Sequence, residues 1–263
     1  MRVVREGMPS QGDVRVDIKG KAVMYEERKY RDLFRGINLE FFDVCVMETD
    51  LRIGAASNVY EEAHRAVLKY REQIETYIRL QPQFLTSLQP VCCLPGAAEI
   101  IRRMCAAAEL AGVGPMAAVA GAVSEMVGND LLRLTPEIIV ENGGDIFMKS
   151  RQVRKIGIYA GTSPLSEKIS LVVSPEKTPV GICTSSGTVG HSLSFGRADA
   201  AVILARDAFL ADAVATATGN RVREPADIDA ALEFASGIPG VTGALIIIGD
   251  KLGAWGDVVL APF

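Results

Sequence analysis

Three separate stretches of this 263-residue chain combine small residues with hydroxyl or carboxyl groups, a composition suited to phosphate binding. The first contains Asn142, Gly143, Gly144 and Asp145, which follow the apolar run 138–140. Two consecutive glycines permit positive φ and leave main-chain N–H groups uncovered, so a ligand can approach the backbone. Because Asn-Gly is also a common turn dipeptide, a simple strand-ending turn is the alternative interpretation.

The second stretch begins with Thr184, Ser185, Ser186 and Gly187, and it holds four hydroxyls and two glycines within seven residues. Such a loop offers many small donors that can hold phosphate through hydroxyls and exposed amides. It is not a Walker loop, because no Gly-Lys-Ser/Thr follows, and a polar hairpin loop is the alternative. His191 comes next, and it is a candidate general base near neutral pH, with a purely structural histidine as the alternative.

The third stretch, 211–216, places Asp212 and Thr216 four residues apart among alanines. Residues at this spacing share one face of a helix. A carboxylate and a hydroxyl there can bind Mg²⁺, with phosphate oxygens and water completing the octahedron. The alternative is an aspartate that stabilises the start of a helix through its dipole.

The elements that position these stretches are mostly helical in the first half of the chain and mostly strands in the second. Apolar spacing and first-turn prolines predict helices over 60–80, 95–110 and 115–132. Later patterns predict a β-rich region at 41–53, strands at 138–141, 155–159, 169–173, 180–183 and 200–204, helices at 209–217 and 227–234, and a hairpin at 243–260. This order predicts an α+β fold, with 1–263 as one layered domain and 1–36 as a peripheral segment.

The composition argues against nucleic acid and membrane partners. The net charge of −4 lacks the basic footprint of a nucleic-acid-binding surface. Residues 1–20 contain no apolar stretch long enough for a secretory signal, and Pro115 and two glutamates interrupt the apolar region 106–127. We therefore expect a cytoplasmic protein. Because its net charge repels phosphate, a nucleotide ligand requires local donors or a metal ion.

Taken in order, the three stretches resemble sequence motifs of the ApbE-like superfamily. The run from Asn142 to Asp145 is similar to the Asn-x-Gly-Gly-Asp turn of that superfamily, shortened by one residue. The loop that starts at Thr184 resembles its Thr-Ser-Gly loop, and 211–216 resembles its Ala-Asp-x-x-x-Thr metal motif. Gly121 and Glu125 lie where its members have glycine and aspartate in a Lys-Gly-Tyr-Ala-x-Asp helix.

A closer resemblance, carried by 112–116 and 187–196, covers most of the chain and points to a narrower bacterial and archaeal branch. The superfamily resemblance implies a layered domain with a mixed or antiparallel sheet and packed helices. It also implies FAD or FMN bound at Asn142, Gly143, Gly144, Asp145, Thr184, Ser185, Ser186, Gly187, Gly121 and Glu125, with Mg²⁺ on Asp212 and Thr216. The reaction of the transferases splits FAD and attaches FMN to a threonine or serine of an acceptor protein.

Further residues differ from the motifs of the transferases. Ala120 stands in place of lysine, and after His191 the residues Ser194 and Phe195 replace Asp-Pro. Two functions for a small-molecule nucleotide site therefore stay open, a flavin-transferring or FAD-cleaving enzyme and a nucleotide-binding protein without catalysis. The sequence leaves both a monomer and a homodimer open.

Cysteine chemistry is a further hypothesis. The five cysteines are odd in number and lack paired metal spacing, which argues against a disulfide framework or a zinc site. Cys183, which adjoins the hydroxyl-rich loop, or the pair Cys92 and Cys93 could carry a persulfide in sulfur assimilation, provided that the thiol pKa is depressed. Buried cysteines that act as small apolar side chains are the alternative.

Overall fold

An eight-stranded antiparallel sheet forms the centre of this computed structural model, which describes residues 14–16, 22–24, 38–188 and 194–263. Two short strands, β1 (Val14–Val16) and β2 (Ala22–Met24), pair separately. The central strands are β3 (Glu40–Val46), β4 (Thr49–Ala55), β5 (Ile138–Asn142), β6 (Asp145–Lys149), β9 (Val180–Ser185), β10 (Ala200–Ala205), β11 (Val241–Ile248) and β12 (Lys251–Gly256). They lie side by side in the order β12-β11-β10-β9-β6-β5-β4-β3.

A second, three-stranded antiparallel sheet packs on one face of the central sheet. It consists of β7 (Arg154–Gly157), β8 (Ile169–Val173) and β13 (Leu260–Pro262), in the order β13-β8-β7. Ile156 and Leu171 from this sheet share an apolar core with Met148 and Ile182 of the central strands. Because side chains alternate along a strand, the neighbours of Met148 and Ile182 point to the opposite face.

Among the residues that the structure describes, six α-helices lie on that opposite face, namely α1 (Tyr60–Leu80), α2 (Gln83–Thr86), α3 (Glu99–Ala111), α4 (Val119–Leu131), α5 (Ala208–Gly219) and α6 (Ile228–Ser236). Helix α5 is almost wholly buried because its alanines let it lie directly on β9 and β10 while α3 and α4 pack above it. In the described part of the chain, no single helix is long and apolar enough to span a membrane, although the pair Glu99–Ala111 and Pro115–Leu131, bent by 105°, meets that criterion by length and composition.

The α+β fold predicted from the sequence is confirmed, with differences in individual elements. The predicted helix over 60–80 matches α1, but α3 begins at Glu99 and not at Pro95. The β-rich region 41–53 is two strands joined by a turn at Met47 and Glu48, and the polar residues Thr49 and Asp50 begin the second strand. Strand β6 was not predicted, because its apolar run is buried on both sides and shows no alternation.

Candidate functional site

Helices α4 and α5 are in close contact at Gly121. A Cβ atom at this position would lie 2.2 Å from the carbonyl oxygen of Ala208 and 2.9 Å from the Cβ of Asp212. The main-chain N–H of Gly121 donates to Oδ2 of Asp212, with an N···O distance of 2.9 Å. This N–H lies in the first turn of α4, where no helical carbonyl is available to accept it. The buried carboxylate of α5 therefore caps α4, which has no side-chain cap of its own.

The reverse contact runs from α4 to α5. Oε2 of Glu125 accepts a hydrogen bond from the N–H of Ala208, the first residue of α5, at 2.7 Å. Its other carboxylate oxygen pairs with the guanidinium of Arg103 on α3. Burial raises the pKa of Glu125, and the charge of Arg103 opposes that rise. Each helix thus supplies a carboxylate that accepts a first-turn N–H of the other helix. The two hydrogen bonds fix the N-terminal ends of α4 and α5 relative to each other.

The turn between β5 and β6 lies against the start of α4. Gly143 and Gly144 have φ angles of +67° and +101°, which two-residue hairpin turns of this type require. Nδ2 of Asn142 donates to the carbonyl of Ala120 at 3.3 Å. Since Ala120 precedes Gly121, the β5–β6 hairpin and the carboxylate of Asp212 both hydrogen-bond to the first turn of α4.

Asp145 joins this turn to the end of β9. Its Oδ1 accepts the N–H of Thr184 at 3.2 Å, and its carbonyl accepts the hydroxyl of Ser124 at 3.0 Å. The position of a Cβ on Gly144 is 3.9 Å from Cβ of Thr184. The first two sequence stretches are therefore adjacent in space.

The carboxyl groups of Asp145 and Asp212 are both buried, and the charge of Asp212 disfavours ionisation of Asp145. Burial raises the pKa of Asp212 from 3.8 to about 7. Burial and the charge of Asp212 together raise the pKa of Asp145 well above its ordinary range. Thr216 lies one turn beyond Asp212 on the same helix face, and its hydroxyl makes no hydrogen bond to any other described residue.

Asp199 fixes the base of the hydroxyl-rich loop. Its Oδ1 accepts from the hydroxyl of Thr188 at 3.0 Å, and its Oδ2 accepts the N–H of Gly249 at 2.7 Å. The N–H of Gly187 also donates to the carbonyl of residue 198 at 2.8 Å. A Cβ on Gly219, the last residue of α5, would be 3.4 Å from the hydroxyl of Ser185. The loop is thereby held against the end of the helix that carries Asp212.

The structure brings the described members of the predicted site into one region. These are Gly121, Glu125, Asn142, Gly143, Gly144, Asp145, Thr184, Ser185, Ser186, Gly187, Asp212 and Thr216. His191 lies outside the described residues. The roles of the predicted site residues toward a ligand stay predictions. Both carboxylate oxygens of Glu125 are already bonded, one to Arg103 and the other to the N–H of Ala208 in α5.

Sequence reasoning missed the residues that support this region, Arg103, Ser124 and Asp199. Asp199 directly precedes the apolar run of β10, and a lone carboxylate at that position was a usable signal. Arg103 and Ser124 lie within amphipathic or apolar helical patterns that give no sign of their partners.

Cys183 does not meet the requirement of a reactive thiol. It is fully buried, and its Sγ lies 3.5 Å from the carbonyl oxygen of Ala208. Burial and the charges of Asp145 and Asp212 raise the pKa of its thiol well above the ordinary value. A persulfide carrier needs a depressed pKa, so Cys183 is better described as a small apolar residue of the core. Cys92 is exposed and Cys93 is half-buried.

Comparison with known proteins identifies relatives across most of the chain. The family model described as AbpE bacteria matches residues 32–253. A UPF0280 protein of Methanocella arvoryzae is 41% identical over 212 residues, which are 80% of this chain and 86% of the relative. A UPF0280 protein of Methanococcus aeolicus is 41% identical over 221 residues, 82% of this chain and 89% of the relative.

Two solved structures share the fold at low sequence identity. The ApbE protein of Thermotoga maritima superposes with a TM-score of 0.60 at 14% identity, covering 82% of this chain and 96% of its own. The apo form of the flavinyl transferase ApbE of Pseudomonas stutzeri superposes with a TM-score of 0.57 at 14% identity, covering 83% and 94%. The layered α+β architecture is thus common to all three.

Proposed function

This chain belongs to the family described as AbpE bacteria, and from that premise we propose that it binds the phosphates of a flavin nucleotide, FAD or FMN, together with Mg²⁺. The observation that carries the proposal is the burial of Asp145 and Asp212 beside two turns rich in glycine and hydroxyl groups. Two neighbouring buried carboxyl groups are costly to ionise, and a bound cation removes that cost.

Asp212 and Thr216 would hold the cation. A carboxylate and a hydroxyl are hard oxygen donors of the kind that Mg²⁺ prefers, and Mg²⁺ keeps several non-protein ligands. In the described part of the chain, no group of three or more His, Cys, Asp or Glu side chains is placed to hold a metal ion. A carboxylate and a hydroxyl would leave the other positions of the octahedron to phosphate oxygens and water. When bound, the cation supplies positive charge that offsets the charge of the phosphates.

Main-chain and hydroxyl donors would bind the phosphates themselves. Gly143 leaves its backbone exposed without side-chain bulk, whereas the N–H of Gly144 already donates to Oε1 of Glu141 at 2.8 Å. Thr184, Ser185 and Ser186 bring hydroxyls to the adjacent strand end. Uncharged donors can hydrogen-bond the phosphate oxygens while the cation offsets the phosphate charge. Such local donors are needed because the net charge of −4 repels a phosphate.

Cleavage of FAD, with transfer of FMN to an acceptor protein, is the finer proposal for the same site. The fold shared with the flavinyl transferase ApbE supports it. Ala120, Ser194 and Phe195 differ from the residues of the transferase motifs, which favours nucleotide binding without turnover as the second candidate.

Thermal denaturation and product analysis separate these outcomes. We expect FAD with Mg²⁺ to raise the melting temperature of the wild-type protein by several degrees, and the rise to vanish in Asp212→Asn. If FAD, FMN and ADP all leave the melting temperature unchanged in Mg²⁺, the binding proposal is wrong. Release of AMP from FAD identifies an enzyme, whereas binding without AMP identifies the non-catalytic function.

A further inference from the structure

One face of α5 continues from the proposed cation ligands to a third polar residue. Asp212, Thr216 and Asn220 follow one another at four-residue spacing, so they lie along the same side of the helix. Asn220 caps the helix with helical angles, φ −63° and ψ −18°, and its N–H donates to the carbonyl of Thr216 at 3.1 Å. At ~1.5 Å rise per residue, Asn220 is about 6 Å beyond Thr216 along the axis.

Asn220 fixes the backbone of Phe195 at this end of the helix. Its Oδ1 accepts the N–H of Phe195 at 2.8 Å, and the hydroxyl of Ser194 lies 3.4 Å from the same oxygen. A Cβ on Gly196 would lie only 1.8 Å from the carbonyl oxygen of Gly219, so this segment rests directly on the last turn of α5. Phe195 is therefore held in a fixed relation to the face that carries Asp212 and Thr216.

Phe195 nevertheless keeps its ring in solvent. The residue is 55% exposed, while Gly196 beside it is buried. In the described part of the chain, its ring pairs with no other aromatic ring. An exposed ring on an anchored backbone leaves apolar surface in water, and it offers a face on which a planar heterocycle can stack.

We propose that Phe195 is a specificity-determining residue of the site, on which an aromatic ring of the bound nucleotide stacks. This inference rests on the proposed function, because the phosphates must lie at Asp212 and Thr216 for the ring to reach Phe195. The ligand class is a heterocycle joined through a sugar to a diphosphate. Ring stacking contributes recognition that the phosphate donors cannot supply, since they would accept inorganic pyrophosphate equally well.

Calorimetric titration of three ligands in Mg²⁺ tests the inference, using FAD, ADP and inorganic pyrophosphate. We expect Phe195→Ala and Phe195→Leu to lower the affinity for FAD about tenfold or more, and Phe195→Trp to retain that affinity. All three variants should bind pyrophosphate with the affinity of the wild type. A loss shared by FAD and ADP assigns the adenine ring, and a loss confined to FAD assigns the flavin ring. Either loss supports the inference.

A control substitution at another exposed apolar residue shows whether the loss of affinity is specific to Phe195. Leu88 is similarly exposed, at 54%, and lies in the segment after α2, so Leu88→Ala should leave all affinities unchanged. If Phe195→Ala binds FAD as the wild type does, or loses pyrophosphate to the same extent as FAD, the stacking inference is wrong while the phosphate site stands. If the wild type binds none of FAD, ADP and pyrophosphate in Mg²⁺, the proposed function and the inference both fail.

Discussion

The main-chain N–H of Gly121 lies 2.9 Å from Oδ2 of Asp212, across 91 positions of sequence. This hydrogen bond makes Asp212 the cap of α4. In return, Glu125 of α4 accepts the N–H of Ala208, the first residue of α5, while Asp207 caps α5 itself by accepting the N–H of Leu210. The two helix starts therefore define each other's position, and Asp212 is oriented before any ligand arrives.

Substitution of Gly121 by alanine should disrupt this arrangement. The new Cβ would meet the carbonyl of Ala208 at 2.2 Å, so α4 and α5 must move apart, which outweighs the gain in helix propensity. We expect a loss of about 2 kcal/mol or more in the free energy of unfolding, measured by denaturant titration. Gly237→Ala is the control, because its Cβ would approach nothing closer than 3.5 Å. Equal stability of the two variants would contradict the close contact.

Glu125 should be far more important for stability than a surface glutamate. Glu125→Ala leaves Arg103 without its buried partner and the first N–H of α5 without an acceptor. We expect a loss of about 3 kcal/mol in urea denaturation.

The control for this substitution is Glu62→Ala. Glu62 pairs with Arg65 on the surface of α1, where both side chains are largely exposed. Its removal should cost less than about 1 kcal/mol. Similar losses for both variants would show that the Glu125 contacts have no special role.

The burial of Asp212 predicts a specific pH dependence of the metal-free protein. Because the folded-state pKa is raised from 3.8 to about 7, the folded state favours the protonated carboxyl. The stability that this group contributes is complete below its unfolded pKa and is lost as pH rises through the folded pKa. With chelator present, the stability of Asp212→Asn relative to the wild type should therefore increase between about pH 4 and pH 7, by roughly 4 kcal/mol at about 1.4 kcal/mol for each pKa unit.

Chemical denaturation at a series of pH values measures this difference. The gap between Asp212→Asn and the wild type should widen across that range and then level off. Parallel stability curves for the two proteins would mean that Asp212 titrates normally.

Thiol labelling should distinguish surface from core cysteines. Cys45 and Cys92 are exposed, whereas Cys105 and Cys183 are buried, and burial raises the pKa of Cys105 to about 12. In the folded protein, a thiol reagent followed by peptide mass spectrometry should modify Cys92 at least tenfold faster than Cys183. Cys183→Ser should leave the labelling rate of the rest unchanged. Rapid modification of Cys183 would restore the persulfide hypothesis for that residue.

Local sequence patterns were sufficient for α1 and for the turns that carry polar groups, but not for α2 or the start of α3. The glycines at 143–144 and the hydroxyls at 184–186 were visible without a structure. Their proximity followed from the family resemblance and not from local patterns, because contacts such as Thr184 with Asp145 join strands that pair only through the order of the central sheet. The role of Asp199 likewise depends on a turn fifty residues away.

We propose that Asp212, Thr216 and the two polar turns form one site for a diphosphate and its cation. Calorimetric titration of ADP into the wild type and Thr216→Val, with Mg²⁺ and with chelator, tests this site. Thr218→Val is the matched control, since that buried hydroxyl on the same helix has no hydrogen-bond partner in the described part of the chain. We expect Mg²⁺-dependent binding that weakens at least tenfold in Thr216→Val and not in Thr218→Val. If the affinity for ADP changes neither with Mg²⁺ nor in Thr216→Val, or if ADP does not bind, Asp212 and Thr216 do not form such a site.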